Sequence, residues 1–247
     1  MGKRNYFWVL ILIGIWLSGC AGGESARYAD DFYAQGNAWY QKAEYDHAID
    51  SYTKALEMSP EGRENYVIYY NRGLAYYKQR NFDRAIMDFN TALRLIAGGE
   101  PSGRYQPEIY DSSMEIRVST PKLEYGLFNL YKARGDARFY KKAYAEAIDD
   151  YTKALDYGEQ REELPTVFTS LGWARFQAGQ YKEAVNAFSK ALDLVPHSAP
   201  SLFGRARAWA EMGDLNMALR DALMAQDLKP DNRKYADLVF ELKQSLK

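Results

Sequence analysis

The sequence predicts an all-α protein, a solenoid of five helix–turn–helix units closed by a C-terminal capping helix. Three observations carry the prediction. A stretch of 16 residues, Tyr45–Pro60 (YDHAIDSYTKALEMSP), recurs with variations from Phe82, Tyr144, Tyr181 and Leu215. A second segment precedes each copy, with a small residue twelve places before the copy's first alanine (Gly36, Gly73, Gly135, Gly172, Ala206), which sets a unit of 34 residues. The last 15 residues, Arg233–Lys247, place Tyr235, Leu238, Val239, Leu242 and Leu246 on one helical face. Such a chain is held by contacts between neighbouring units and needs a cap over its last apolar face.

Within each copy two alanines stand seven residues apart: Ala48 and Ala55, Ala85 and Ala92, Ala147 and Ala154, Ala184 and Ala191, Ala218 and Ala225. That spacing puts them two turns apart on one helical face, where a neighbouring helix approaches closely. An aromatic residue four places after the first alanine (Tyr52, Phe89, Tyr151, Phe188) fills the space beside them, and the fifth copy has Ala222 there. Numbering the small residue as position 8 and the alanines as 20 and 27 gives units 29–62, 66–99, 128–161, 165–198 and 199–232. Position 4 is large throughout (Phe32, Tyr69, Tyr131, Phe168, Leu202), and position 32 is proline in three units (Pro60, Pro196, Pro230), where it stops the second helix. This period and pattern resemble the tetratricopeptide repeat. The resemblance implies a right-handed solenoid whose concave face is lined by the first helix of each unit, helix A, often at positions 2, 5, 9 and 12.

Taken in order, the chain opens with Lys3 and Arg4, then an apolar run of 12 residues, Tyr6–Leu17. The run is short for a membrane-spanning helix and suits a signal peptide over 1–19. It ends in Leu17-Ser18-Gly19-Cys20, which resembles the bacterial lipobox. That resemblance implies acylation of Cys20, the one cysteine of the chain, and cleavage before it. Removal of Lys3 and Arg4 leaves 30 basic against 33 acidic groups, a net charge of −3. Two or three acyl chains hold a protein on a bilayer, each buried CH₂ contributing about 0.8 kcal/mol. Ala21, rather than Asp, after the cysteine implies the outer membrane if the source is Gram-negative. Residues 20–28 are a small, polar tether, and 29–99 hold the first two units.

The stretch 100–127 interrupts the array and carries Pro101, Pro107 and Pro121, against one continuous helix. Glu115–Ser119 alternates as a weak strand would, and Pro121 suits the start of an extended helix A in the third unit. A functional loop and a solvated linker both fit this stretch. Units three to five fill 128–232, and the capping helix fills 233–247.

Position 7 reads Gln35, Arg72, Arg134, Leu171, Arg205, and position 23 reads Ser51, Asp88, Asp150, Ala187, Asp221. Each arginine goes with an aspartate, the glutamine with a serine and the leucine with an alanine. An antiparallel pair turning near position 15 brings these positions face to face, which predicts the structural pairs Arg72–Asp88, Arg134–Asp150 and Arg205–Asp221. Catalytic signals are weak. There is no phosphate-binding GxxxxGK[ST] loop, no HExxH and no cysteine pair, and His47 and His197 read as surface residues. No enzyme activity, metal or cofactor is expected. Lys and Arg total 32 against 33 Asp and Glu, which gives no electrostatic reason to expect nucleic acid.

Binding is the chemistry that remains. Carried onto the family's concave positions, the candidates are Tyr33, Asn37, Tyr40, Tyr70, Leu74, Tyr77, Phe139, Trp173, Phe176 and Phe203. An aromatic groove with a few polar groups suits an extended peptide or a partner helix. Some members clamp a C-terminal carboxylate with two asparagines and three cationic groups. The corresponding positions here hold Tyr33, Asn37, Asn71, Asn129 and Ala133, so the asparagines match and every cation is missing. No such clamp is expected. The expected function is a lipid-anchored scaffold on a bacterial envelope membrane, binding envelope proteins or peptide segments through its concave face. A self-associating, homo-oligomeric structural lipoprotein and an enzyme using the 100–127 loop are the alternatives.

Overall fold

The computed structural model describes residues 27–60, 62–98, 121–158 and 162–247. The signal segment with Cys20 and the alternating Glu115–Ser119 stretch lie outside them. The described residues form eleven α-helices and one short 3₁₀ turn, with no strand, in an α-solenoid of helix–turn–helix repeats.

The chain divides into two compact units, one ending at Arg117 and one beginning at Val118. The first holds α1 (27–41), α2 (Tyr45–Met58), the 3₁₀ turn Arg63–Asn65, α3 (Tyr66–Lys78) and α4 (Phe82–Ile96). The second holds α5 (Pro121–Tyr140), α6 (Tyr144–Asp156), α7 (Leu164–Gln177), α8 (Tyr181–Leu194), α9 (Ala199–Glu211), α10 (Leu215–Leu228) and α11 (Arg233–Ser245). Each odd-numbered helix up to α9 is a helix A, and the even-numbered helix after it is its helix B.

The repeated alanines explain the pairing. All ten at positions 20 and 27 are fully buried, so the helix backbones approach with nothing larger than a methyl group between them. The aromatic ring at position 24 packs directly against the glycine at position 8. A Cβ on Gly36 would sit 2.5 Å from Tyr52 Cε1, on Gly73 2.7 Å from Phe89 Cε1, on Gly135 2.9 Å from Tyr151 Cε1, and on Gly172 2.7 Å from Phe188 Cδ1. Where the ring shrinks to Ala222, the facing residue is Ala206, and both are fully buried. Gly204 also lies under Phe188, which is therefore packed between glycines of two successive helices A.

Every turn from helix A to helix B has the same backbone. Position 15 is left-handed in all five units, at Ala43 (φ 60°), Arg80 (62°), Lys142 (64°), Gly179 (75°) and Gly213 (83°). The next residue donates its amide N–H to the carbonyl five residues back, Glu44 to Trp39, Asn81 to Tyr76, Ala143 to Arg138, Gln180 to Arg175 and Asp214 to Trp209, at 2.9–3.0 Å. This is the Schellman closure of a helix C-terminus. Asn81 and Asp214 then cap the following helix, accepting from the amides of Arg84 and Met217.

Helix A of the third unit starts at Pro121, the start that this proline suits, so 121–127 is helical ahead of the repeat that begins at 128. Proline at a helix start loses no hydrogen bond, and the extension buries Leu127 fully. In α11 the apolar face is shorter than its pattern: Tyr235, Val239 and Leu242 are buried against the fifth unit, whereas Leu246 is exposed.

Candidate partner-binding face and its supporting ion pairs

Within each of the two compact units, helix-A positions 5, 9 and 12 fall on one face, and the residues there are mostly half-buried. In the first unit these are Tyr33, Asn37 and Tyr40 on α1 and Tyr70, Leu74 and Tyr77 on α3. A hydrogen-bond network fixes the middle of that face. Tyr52 donates its hydroxyl to Asn37 Oδ1 (2.8 Å). Asn71 Nδ2 donates to the same Oδ1 (3.1 Å) and to the Tyr33 hydroxyl oxygen (3.0 Å). Burial first, then the neighbouring Tyr33 and Tyr40, pushes the Tyr52 hydroxyl well above its ordinary pKa, which keeps it a donor.

In the second compact unit, position 9 of α5 is Asp136, whose carboxylate accepts from the Tyr151 hydroxyl (2.8 Å) and from Lys132 Nζ (3.2 Å). Further along, Trp173 packs edge-on against Phe176 (5.7 Å between centroids) and Phe188 (5.4 Å), and lies 6.0 Å from Phe203. Phe203 in turn lies 4.9 Å from Tyr235 of α11. Phe176 is only 8% exposed, in a core cluster with Ala184, Phe188 and Ala208. It supports the face rather than offering surface, which corrects its place among the partner-contacting candidates. Arg207 lies over the Phe176 ring, 5.0 Å from its centroid, and is exposed.

Behind the face, Arg–Asp couples join positions 7 and 23. Arg72 donates Nε and Nη2 to the two oxygens of Asp88, both at 2.8 Å. Arg205 does the same to Asp221, at 2.6 and 2.9 Å. Arg134 donates Nη2 to Asp150 Oδ1 at 2.6 Å, and Arg138 Nη1 reaches Asp150 Oδ2 at 2.7 Å. Gln35 and Ser51 form the neutral version, Ser51 Oγ donating at 3.2 Å. The remaining N–H groups reach backwards: Arg72 Nη1 donates to Thr53, and Arg205 Nη1 to Ser189, each on the preceding helix B. One guanidinium thus ties three helices together. Burial is the larger influence on Asp88 and holds its carboxyl above the usual range against the pull of Arg72. Burial first, then the charge of Arg134, pushes Arg138 down. Desolvation therefore works against attraction at Asp88 and at Arg138.

Models of the tetratricopeptide repeat match three segments, residues 66–96, 165–198 and 32–61. Over these three segments the chain is similar to the tetratricopeptide repeat. Over 43 residues it is 44% identical to the human DnaJ homolog subfamily C member 7, a match spanning 17% of this chain and 9% of that protein. Solved structures with the same fold include YrrB, described as a TPR protein with an unusual peptide-binding site. Its TM-score is 0.63 at 18% identity, over 86% of this chain and 90% of that one. MamA gives 0.63 at 18% identity over 86% and 96%, and a tetratricopeptide repeat protein from Parabacteroides merdae gives 0.66 at 15% identity over 87% and 72%. At such identities the likeness is one of fold.

Two repeat-level pairings were missed in the sequence pattern. Position 9 is paired with position 24: Asn37 and Asp136 face the tyrosine hydroxyls of Tyr52 and Tyr151, and Trp173 meets Phe188. The alternation of polar residues with Tyr and apolar ones with Phe was the available signal. Position 12 is braced by position 17, Tyr40 on Tyr45, Tyr77 on Phe82, Phe139 on Tyr144 and Phe176 on Tyr181, at 5.5–5.7 Å. Among the described residues no group of three or more His, Cys, Asp or Glu is placed to hold a metal, and no helix is long and apolar enough to cross a membrane. His47 and His197 are exposed, His47 against Trp39 at 4.9 Å.

Proposed function

We propose that this protein is a lipid-anchored interaction scaffold that holds envelope proteins, or peptide segments of them, on the helix-A face of its repeats. The observation that carries the binding reading is the state of that face. Tyr33, Tyr70, Tyr77, Phe139, Trp173 and Phe203 are half-buried, braced from behind by rings and hydrogen bonds, and keep one edge open. Aromatic side chains already fixed in place lose little entropy when a partner docks. YrrB, described as having a peptide-binding site, is similar in fold and supports this reading only to that extent.

The anchor rests on Leu17-Ser18-Gly19-Cys20 at the end of the apolar run. In this reading acylated Cys20 fixes the chain to a bacterial membrane, the outer one in a Gram-negative cell, and the tether sets the repeats off from its surface. Cys20→Ser is expected to abolish labelling by radioactive palmitate and to move the protein to the soluble fraction. Unchanged labelling removes the anchor. In-cell crosslinking of the full-length protein, with purification and mass spectrometry, tests the face. The partner captured by the wild type is lost from a folded Tyr77→Ala/Phe139→Ala variant if the face binds it. Recovery of the same partner with that variant places binding elsewhere, and recovery of the protein alone favours self-association.

A further inference from the structure

We infer that the second unit's face, from Trp173 to Phe203, takes an extended peptide carrying an acidic side chain between apolar residues, with its carboxylate on Arg207. This inference rests on the helix-A face being the binding surface. Across helix-A positions 5, 9 and 12 of all five repeats, the charged residues are Lys132, Asp136 and Arg207. Lys132 and Asp136 neutralise each other at 3.2 Å. Arg207 has no such partner among the described residues, although the arginines of the same helices are engaged. Arg205, two residues earlier, grips Asp221. Arg134 and Arg138 share Asp150, and Arg175 donates to the Glu183 carbonyl.

The exposed Arg207 is held over the Phe176 ring at 5.0 Å. Stacking occupies the flat face of a guanidinium and leaves its N–H donors unused, and the planar fork of those donors matches a carboxylate. The Phe176 ring that it covers adjoins further aromatic rings: Trp173 at 5.7 Å, which continues to Phe203 and Tyr235, and Tyr181 of α8 at 5.5 Å. An acid inside a segment has apolar residues both before and after it to set on these rings, whereas a carboxylate that ends its chain has residues on one side only, and this selects an internal Asp or Glu with apolar neighbours. The first unit has no equivalent: its position 9 groups are Asn37, already accepting two hydrogen bonds, and Leu74.

The test uses the full-length protein, immobilised, and pools of end-capped decapeptides with randomised apolar flanks and a central Glu, Gln or Lys. A fourth pool has central Gln and a free C-terminal carboxylate. Retention of the Glu pool is expected to exceed that of the Gln pool by about tenfold, the scale of one charge-assisted hydrogen-bonded contact. Arg207→Gln should erase that preference, and Arg207→Glu should turn it toward the Lys pool. Arg207 is exposed, so both variants are expected to keep the wild-type circular dichroism. Equal retention of the Glu and Gln pools, or preference for the free-carboxylate pool, overturns the inference. In that event retention that still falls with Trp173→Ala leaves the binding face standing, whereas retention indifferent to Trp173→Ala removes both.

Discussion

The two compact units present the same helix face built from different chemistry. In the first, tyrosines and two asparagines close a neutral network, Tyr52 to Asn37, Asn71 to Asn37 and Asn71 to Tyr33. In the second, a carboxylate takes the asparagine's place against Tyr151, and the strip beyond it turns to Trp173, Phe203 and Arg207, an exposed arginine over the Phe176 ring. The backbone frame is common to both: alanine pairs, a glycine under a ring and a left-handed position 15. Repeats therefore separate two tasks. Positions 8, 20, 24 and 27 fix the frame, and positions 5, 9 and 12 are free to vary in what they offer a partner.

The ion couples behind the face differ between the units as well, and breaking them gives the largest expected effects. Arg72→Leu leaves Asp88 buried without its arginine and should cost about 3–5 kcal/mol in urea unfolding. Arg134→Leu should cost less, because Arg138 stays 2.7 Å from Asp150. Equal losses would mean that the second arginine contributes nothing. Next come the glycines. Gly73→Val forces a side chain into Phe89 and Gly204→Val one into Phe188, each costing about 1–3 kcal/mol. Ala206→Gly, where no ring is present, should cost no more than about 1 kcal/mol through helix propensity alone.

The fourth repeat offers a sharper comparison, since it does without the couple. Leu171→Arg/Ala187→Asp builds the pair into it and should leave stability within about 1 kcal/mol of wild type, the balance expected when desolvation and attraction nearly cancel. Ala187→Asp alone should be far worse, so a double variant no better than the single one would deny that positions 7 and 23 meet there. The smallest effects lie in the turns. Arg80→Gly and Lys142→Gly relieve a left-handed backbone and should each gain about 0.5–1 kcal/mol, while Gly179→Ala should lose about 1 kcal/mol. Thermal melts of the three variants compare them directly.

Much of the frame was legible because five copies expose period and exchange together. The spacing of Ala48 and Ala55 and their counterparts gave the helix pairing, and the exchange of Arg–Asp for Leu–Ala gave the partner across it. The turns were legible only as a place. Ala43, Arg80 and Lys142 are not residues that signal a left-handed backbone, and it is the helix closure around them that imposes it. The face was legible as a set of positions but not as surface. Phe176 looked like its neighbours in the pattern, yet Trp173, Tyr181 and Phe188 surround it, and burial depends on residues from three helices at once. The start of α5 was open for a simpler reason: Pro121 permits a helix start without requiring one.

The most direct test of the binding face is site-specific photo-crosslinking in cells, with benzoyl-phenylalanine at Tyr70 or Phe203 on helices A, or at Lys190 or Arg220 on helices B. The account predicts adducts to a discrete partner from Tyr70 or Phe203 and none from Lys190 or Arg220. Adducts from the helix-B sites alone, or the same adducts from all four, would contradict it.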